Sequence, residues 1–310
     1  MKPVLLVLIH LSDAHLEQLA RHYELVYAPD ADRHAEAIAA DGARVQAVLT
    51  NGTVGLRAAQ IDGLPAATFV SALGAGYENI DLDHARRRGI GLANGAGTND
   101  DCVADHAFGL LLAAARGIVK LDGQTRAGVW RTEITMPPNV SGRRLGILGL
   151  GTIGRKIARR GTGFDLEIGY HNRSARADSP YRYFGSVAEL AAWADFLVVA
   201  TPGGAGTRHL VDAAVIDALG PRGVLVNIAR GSVVDTAALA AALREGHLGA
   251  AGLDVYESEP RPPGELVGLD NVVLTPHMAG WSPEAVQASV DRFVENARRH
   301  FAGEALVSPI

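Results

Sequence analysis

The stretch Arg144 to Ala158, RLGILGLGTIGRKIA, constrains the fold more than any other part of the chain. An apolar run ending at Leu148 leads into Gly149-Leu150-Gly151-Thr152-Ile153-Gly154, and a helical pattern follows. The three glycines have separate uses: a tight turn, close approach of the backbone to a pyrophosphate, and close packing of helix on strand. The free N–H groups and positive dipole end of that helix then face the phosphates. Glycine turns are common in any chain with 36 glycines. The strand before, the helix after and a second apolar run from Leu166 to Tyr170 make this one a dinucleotide site built from Gly149, Gly151, Thr152, Ile153 and Gly154.

The residues after the second run select the dinucleotide. An NAD site usually offers Asp or Glu roughly 20 residues past the glycines, to accept from the ribose 2′-hydroxyl. Here the chain has His171-Asn172-Arg173-Ser174. A carboxylate would repel a 2′-phosphate, whereas a guanidinium grips it bidentately beside amide and hydroxyl donors. The expectation is NADP(H) as preferred cofactor and NAD(H) as the second choice.

A chain of 310 residues can bury two cores. Apolar content of 48% with 20% charged residues argues against disorder. The net charge of −5 gives no sign of a nucleic-acid partner, and Arg86-Arg87-Arg88 reads as a solvated helix face. The one cysteine, Cys102, excludes an intramolecular disulfide and fits a packing role. Val4 to Ile9 is too short for a secretory core and lacks a cleavage site, and no apolar run approaches a membrane span. A cytoplasmic protein without a membrane partner is expected.

Strand and helix patterns alternate along the whole chain. In the first hundred residues the strands are Val4 to Ile9, Glu24 to Tyr27, Val45 to Thr50, Ala67 to Ser71 and Ile90 to Ala93, with a helix capped by Ser12 and others over Ala31 to Ala40 and Leu82 to Arg88. Asn99 to Arg116 reads as a helix too apolar to lie alone, joining the halves and packing on a partner domain or subunit. Gly117 to Asn139, with Trp130 and Pro137-Pro138, has little period and reads as an arm or linker. A second βα series starts at Arg144, and a last helix opens at Ser282-Pro283 and runs to about Phe301. The predicted class is α/β with two doubly wound parallel sheets.

Ligands of such sheets sit outside the carboxyl ends of the strands. In the first half, Leu73-Gly74-Ala75-Gly76 follows a strand, and its N–H groups can form a nest for a small anion such as a substrate carboxylate. In the second half, Arg230, Glu259 and His277 all fall at strand ends. Each alone has a dull explanation, since the chain has eleven histidines and lone charges in loops are usually solvated. Beside a nicotinamide cofactor they specify a reaction. Hydride adds to a carbonyl carbon and the oxygen needs a proton, which His277 can donate near neutral pH. Glu259 would orient the ring and favour its charged form, and Arg230 would pair with a substrate carboxylate. A 2-oxo acid is the implied small-molecule substrate.

Asn227-Ile228-Ala229-Arg230-Gly231, Gly252-Leu253-Asp254-Val255-Tyr256-Glu257-Ser258-Glu259-Pro260 and Thr275-Pro276-His277, following the glycine turn in that order, resemble the signatures of D-isomer-specific 2-hydroxyacid dehydrogenases. The resemblance extends over nearly the whole chain and, with the basic residues after the second strand, is greatest to the glyoxylate and hydroxypyruvate reductase branch. It implies a flavodoxin-like substrate domain over 1–98 plus 282–310, a Rossmann cofactor domain over 99–281, and a homodimer formed through the cofactor domains. It also implies the same roles for Arg230, Glu259 and His277, and a D-configured product. Asp254 matches a position near the nicotinamide, while Val103, Thr201 and Ile228, with the adjoining Pro202 and Ala229, match positions lining its ring and ribose. Two departures stand out. Gly280-Trp281 follows the histidine segment where many members have a Ser or Thr, so a bulky ring enters the substrate region; and Gly203-Gly204-Ala205-Gly206 is unusually rich in glycine. The alternatives are a reductase of larger sugar-derived or aromatic 2-oxo acids, and a non-catalytic nucleotide-sensing protein like the corepressors that share this fold.

Overall fold

A computed structural model describes residues 2–310, which divide into two compact units. One takes the chain up to Asn99 together with Gly280–Ile310, and the other takes Asp100–Ala279. No single helix among the described residues is long and apolar enough to cross a membrane.

The first unit contains β1 (Val4–Val7), α1 (Asp13–Ala20), β2 (Glu24–Tyr27), α2 (His34–Asp41), β3 (Val45–Asn51), α3 (Ala58–Asp62), β4 (Phe69–Leu73), α4 (Leu82–Arg87) and β5 (Gly91–Asn94). Its strands lie in the order β2-β1-β3-β4-β5, all parallel, a doubly wound sheet with its switch point between β1 and β3. Helices cover both faces of a parallel sheet, so the inner strands read as continuous apolar runs; every residue of β1 is buried. The sequence pattern anticipates all five strands. It misses α3, whose five residues are too few to show a period.

The second unit begins with α5 (Asp100–Arg116) and α6 (Ile118–Arg126), and continues with β6 (Arg144–Leu148), α7 (Thr152–Thr162), β7 (Glu167–His171), β8 (Arg182–Tyr183), α8 (Val187–Trp193) and β9 (Phe196–Val199). Then come α9 (Ala213–Leu219), β10 (Val224–Asn227), α10 (Thr236–Glu245), β11 (Ala250–Leu253) and β12 (Val272–Leu274). The order β12-β11-β10-β9-β6-β7-β8, again all parallel, puts the switch point between β6 and β9, where the glycine turn leaves β6. Strand β8 is a two-residue addition at the edge, too short to show a period in the sequence.

Helix α5 corrects the sequence reading. Its apolar stripe, including Val103, Ala107, Phe108, Leu110 and Leu111, is buried in the second unit's own core rather than reserved for another body. Gly252 on β11 makes this possible, because a Cβ there would lie 2.9 Å from Leu110 Cβ. The stretch read as an arm does contain a helix, α6, with no residue of its own buried, which is why no period marks it. Ile118, Val119, Trp130 and Met136 are exposed along this stretch.

Helix α11 (Pro283–Phe301) starts as expected, with Ser282 accepting from Ala285 N and Pro283 in the first turn. It places Val290, Phe293 and Ala297 in the first unit's core, where Phe293 lies between Tyr23 and Phe69. The cavity left by F293A is expected to cost about 3–5 kcal/mol of stability. Urea unfolding of wild type and variant measures it, and a loss under about 1 kcal/mol would show that α11 is not part of that core.

Candidate active site

The glycine turn has the geometry of a phosphate cradle. Gly149 has φ +103°, and a Cβ on it would lie 2.8 Å from Ala200 C, at the end of the adjacent strand. At Gly154 a Cβ would lie 2.1 Å from Gly149 O, so the first turn of α7 packs against the end of β6 with no room for a side chain. Gly151, between them, caps α7 without a side chain and meets nothing within 4 Å. A cradle open at its middle glycine and closed at the other two fits a pyrophosphate on the helix N-terminus.

Beyond β7, the predicted residues separate into two sets. His171 Nδ1 bonds Phe184 O at 2.9 Å, just past β8, and Asn172 Oδ1 accepts from Leu150 N at 2.7 Å, which ties the loop to the glycine turn. Arg173 and Ser174 are exposed and hold no side-chain bond or ion pair among the described residues. The sequence reading did not single out Arg155 or Arg176. Arg176 grips Asp178 through Nε and Nη2 at 3.0 and 3.2 Å, and Arg155 lies 3.6 Å from the same carboxylate. The only signal for them was the density of arginine around the β7 end.

At the carboxyl ends of β10, β11 and β12 the three candidate catalytic residues meet. His277 Nδ1 lies 2.8 Å from Glu259 Oε2, and Glu259 Oε1 accepts from Tyr256 N at 2.8 Å. Burial pushes the Glu259 carboxyl up, but the bonds from His277 and Tyr256 N, with the charge of nearby Arg230, hold it below the usual carboxylate range. An ionised carboxylate can only accept, so Nδ1 carries the hydrogen facing it and Nε2 is left for chemistry. Arg230 is half-buried in a turn held by Asn227, whose Nδ2 donates to Arg230 O at 3.0 Å. Gly203, part of the glycine-rich departure noted above, leaves space for this arginine: a Cβ there would lie 2.7 Å from Arg230 Cγ.

His277 has φ +56°, a left-handed conformation uncommon for a side chain of this size. Asp254 holds it there. Its backbone O accepts from His277 N at 2.8 Å, and its carboxylate accepts from Met278 N and Ala279 N at 2.8 Å each and from Thr275 Oγ1 at 2.6 Å. Asp254 is only 1% exposed. Burial raises its pKa, yet the bonds from His106, Thr275 and the two amides outweigh that and keep it ionised. The carboxylate that the sequence reading assigned to the cofactor is thus fully engaged by the protein's own donors. His106, on α5, was missed; its Nε2 bonds Thr275 Oγ1 at 2.9 Å and lies 3.4 Å from Asp254 Oδ1. One histidine on an apolar helix gave no sequence signal.

Of the other expected positions, Val103, Ile228 and Ala229 are buried, Thr201 is half-buried and Pro202 is exposed at the end of β9. In the first unit, Gly74 has φ +80°, and the N–H groups of Gly74, Ala75 and Gly76 make no hydrogen bond among the described residues. Leu73 is half-buried at the end of β4; Gly280 is half-buried too, and Trp281 is 54% exposed.

Residues 108–279 match the family model for the NAD-binding domain of D-isomer specific 2-hydroxyacid dehydrogenases. The chain belongs to this family. It is 43% identical to a hydroxyphenylpyruvate reductase of Plectranthus scutellarioides and 42% identical to a glyoxylate/hydroxypyruvate reductase A of Arabidopsis thaliana, each over 86% of this chain and 85% of the relative. Among solved structures, an NADPH-dependent glyoxylate/hydroxypyruvate reductase of Sinorhizobium meliloti, in complex with NADP and malonate, superposes with a TM-score of 0.92 at 36% identity, over 100% of this chain and 97% of that one. This D-2-hydroxyacid dehydrogenase is therefore an NAD(P)-dependent oxidoreductase with a Rossmann cofactor domain.

The depressed carboxyl of Glu259 sets the sign of a pH effect. Its folded-state pKa lies below the ordinary value of 4.5, so its pairing contributes stability in full above that value and loses it as the pH falls through the folded-state pKa. The stability gap between wild type and E259Q is expected to be full-sized near pH 7 and to close on acidification. Urea midpoints of both proteins between about pH 7 and about pH 3 measure it. A gap that widens toward low pH contradicts the pairing.

Proposed function

We propose that this dehydrogenase is an NADPH-dependent reductase of small 2-oxo acids of the glyoxylate or hydroxypyruvate type, yielding the D-2-hydroxy acid. The observation that carries the reading is the Glu259–His277 bond of 2.8 Å with Arg230 beside it, on the sheet that holds the glycine cradle. The reduced nicotinamide, when bound, supplies the hydride. Arg230 meets the substrate carboxylate as a planar fork, and Nε2 of His277 donates the proton as charge develops on the carbonyl oxygen. Glu259 keeps the ring in the tautomer that this donation needs.

The preference for NADPH rests on Arg173 and Ser174, which are exposed and unengaged where an NAD site carries a carboxylate. The Sinorhizobium meliloti relative, solved with NADP, supports it. A cytoplasmic homodimer is part of the same reading, and the exposed Ile118, Val119, Trp130 and Met136 support self-association through the cofactor domain. A second reading, a larger aromatic 2-oxo acid, is favoured by the exposed Trp281 and Met278 and by the similarity to the hydroxyphenylpyruvate reductase. Initial rates with glyoxylate, hydroxypyruvate and phenylpyruvate separate the two.

Turnover by H277A is expected to fall by roughly 10²- to 10⁴-fold while NADPH affinity holds. An unchanged kcat removes His277 from the mechanism, and cofactor binding by wild type without turnover of any oxo acid would favour the non-catalytic alternative. For R173D, loss of a charge-assisted grip predicts at least a roughly tenfold fall in the NADPH-to-NADH ratio of kcat/KM. Steady-state kinetics with both cofactors check this, and an unchanged ratio refutes the phosphate-gripping role.

A further inference from the structure

Two residues before Glu259, the side chain of Glu257 lies where three loops converge, and it plays no part in the chemistry described above. Its Oε1 accepts from His209 Nε2 at 2.9 Å and is approached by Arg208 Nη1 at 3.5 Å. Its Oε2 accepts from Thr236 N at 3.2 Å and from Thr236 Oγ1 at 2.8 Å. Arg208 and His209 belong to the loop after β9, Thr236 opens α10 directly after the loop that carries Arg230, and Glu257 itself lies in the loop after β11 that carries Glu259. One carboxylate therefore binds together the loops bearing the substrate-gripping guanidinium and the group that orients His277.

The backbone around it has little slack. His209 has φ +48°, and its N–H donates to Ser232 O at 2.8 Å, inside the Arg230 turn. Val211 N donates to Val233 O at 3.0 Å. A Cβ on Gly231 would lie 1.9 Å from Tyr256 C and 2.3 Å from Glu257 N, so the residue next to Arg230 rests directly on the peptide that precedes Glu257. Although burial opposes it, the bonds from His209 and Thr236 keep the Glu257 carboxyl below the usual range. Displacing this peptide moves Arg230 and Glu259 relative to one another, and an error of about 1 Å in such a placement can cost roughly 10²-fold in rate.

We infer that Glu257, held by His209, is a positioning residue that sets the spacing of Arg230 and Glu259 without touching substrate, coenzyme or the reacting atoms. The inference rests on the reductase reading for its kinetic test and on the loop geometry alone for its structural one.

E257Q keeps the size of the side chain but turns an amide toward two donors. Its kcat/KM for the oxo acid is expected to fall by roughly tenfold or more, mainly through KM because the group displaced is the carboxylate grip, while the NADPH Kd by fluorescence titration stays within about twofold. H209Q, which can still donate to Glu257, is expected to retain most of the activity that H209A loses. Hydrogen exchange of peptides covering Ala229–Asp235 is expected to speed up in E257Q. A kcat/KM within about twofold of wild type alongside a lowered Tm leaves Glu257 a stability residue and overturns the inference, as does unchanged exchange in the Arg230 turn. Wild type inactive on every oxo acid would sink the reductase reading instead, and the exchange comparison would still decide the tie.

Discussion

The end of the second unit where Arg230, Glu259 and His277 meet depends on one buried negative charge, Asp254. Taking a carboxylate out of water carries a penalty of several kcal/mol unless donors replace the lost solvent. Here two backbone amides, a threonine hydroxyl and a nearby histidine do so, and three of these groups belong to the segment Thr275–Ala279. The electrostatic need of Asp254 thereby fixes the turn in which His277 adopts its left-handed conformation. Such strain persists only where the surroundings over-determine the backbone. His106, reaching in from α5, closes the arrangement from the other side through Thr275.

Around that charge the rest of the site follows from parallel topology. With every strand of the sheet pointing the same way, the loops after β6, β9, β10, β11 and β12 emerge at one edge, and residues far apart in sequence become neighbours. The coenzyme cradle after β6 and the Arg230, Glu259 and His277 loops therefore share that edge. Fine placement comes from absent side chains as much as present ones. Gly203 leaves room for the arginine stem, and Gly231 lets the Arg230 turn rest on the Tyr256–Glu257 peptide. The glycine-rich Gly203–Gly206 loop, an oddity in the sequence, finds part of its reason there.

The sequence carried the fold class, the order of strands and helices and the three residues that meet at the site. Those features are local: a strand buried on both faces is a continuous apolar run, and a turn that admits a pyrophosphate needs glycine at fixed spacing. Helix α3 and strand β8 were illegible because two to five residues hold no period. Helix α6 was illegible because none of its residues is buried, so no apolar stripe repeats along it.

Sequence by itself determined that a dinucleotide turn, an arginine, a glutamate and a histidine would lie at strand ends, since each is announced by neighbours within a few positions. Only tertiary structure decided what each carboxylate does. Asp254 and Glu259 lie in one short stretch of sequence, yet one is buried on protein donors and the other faces His277. That division depends on which donors arrive from α5, β12 and the Tyr256 backbone, and a linear string of residues does not hold the distances that settle it.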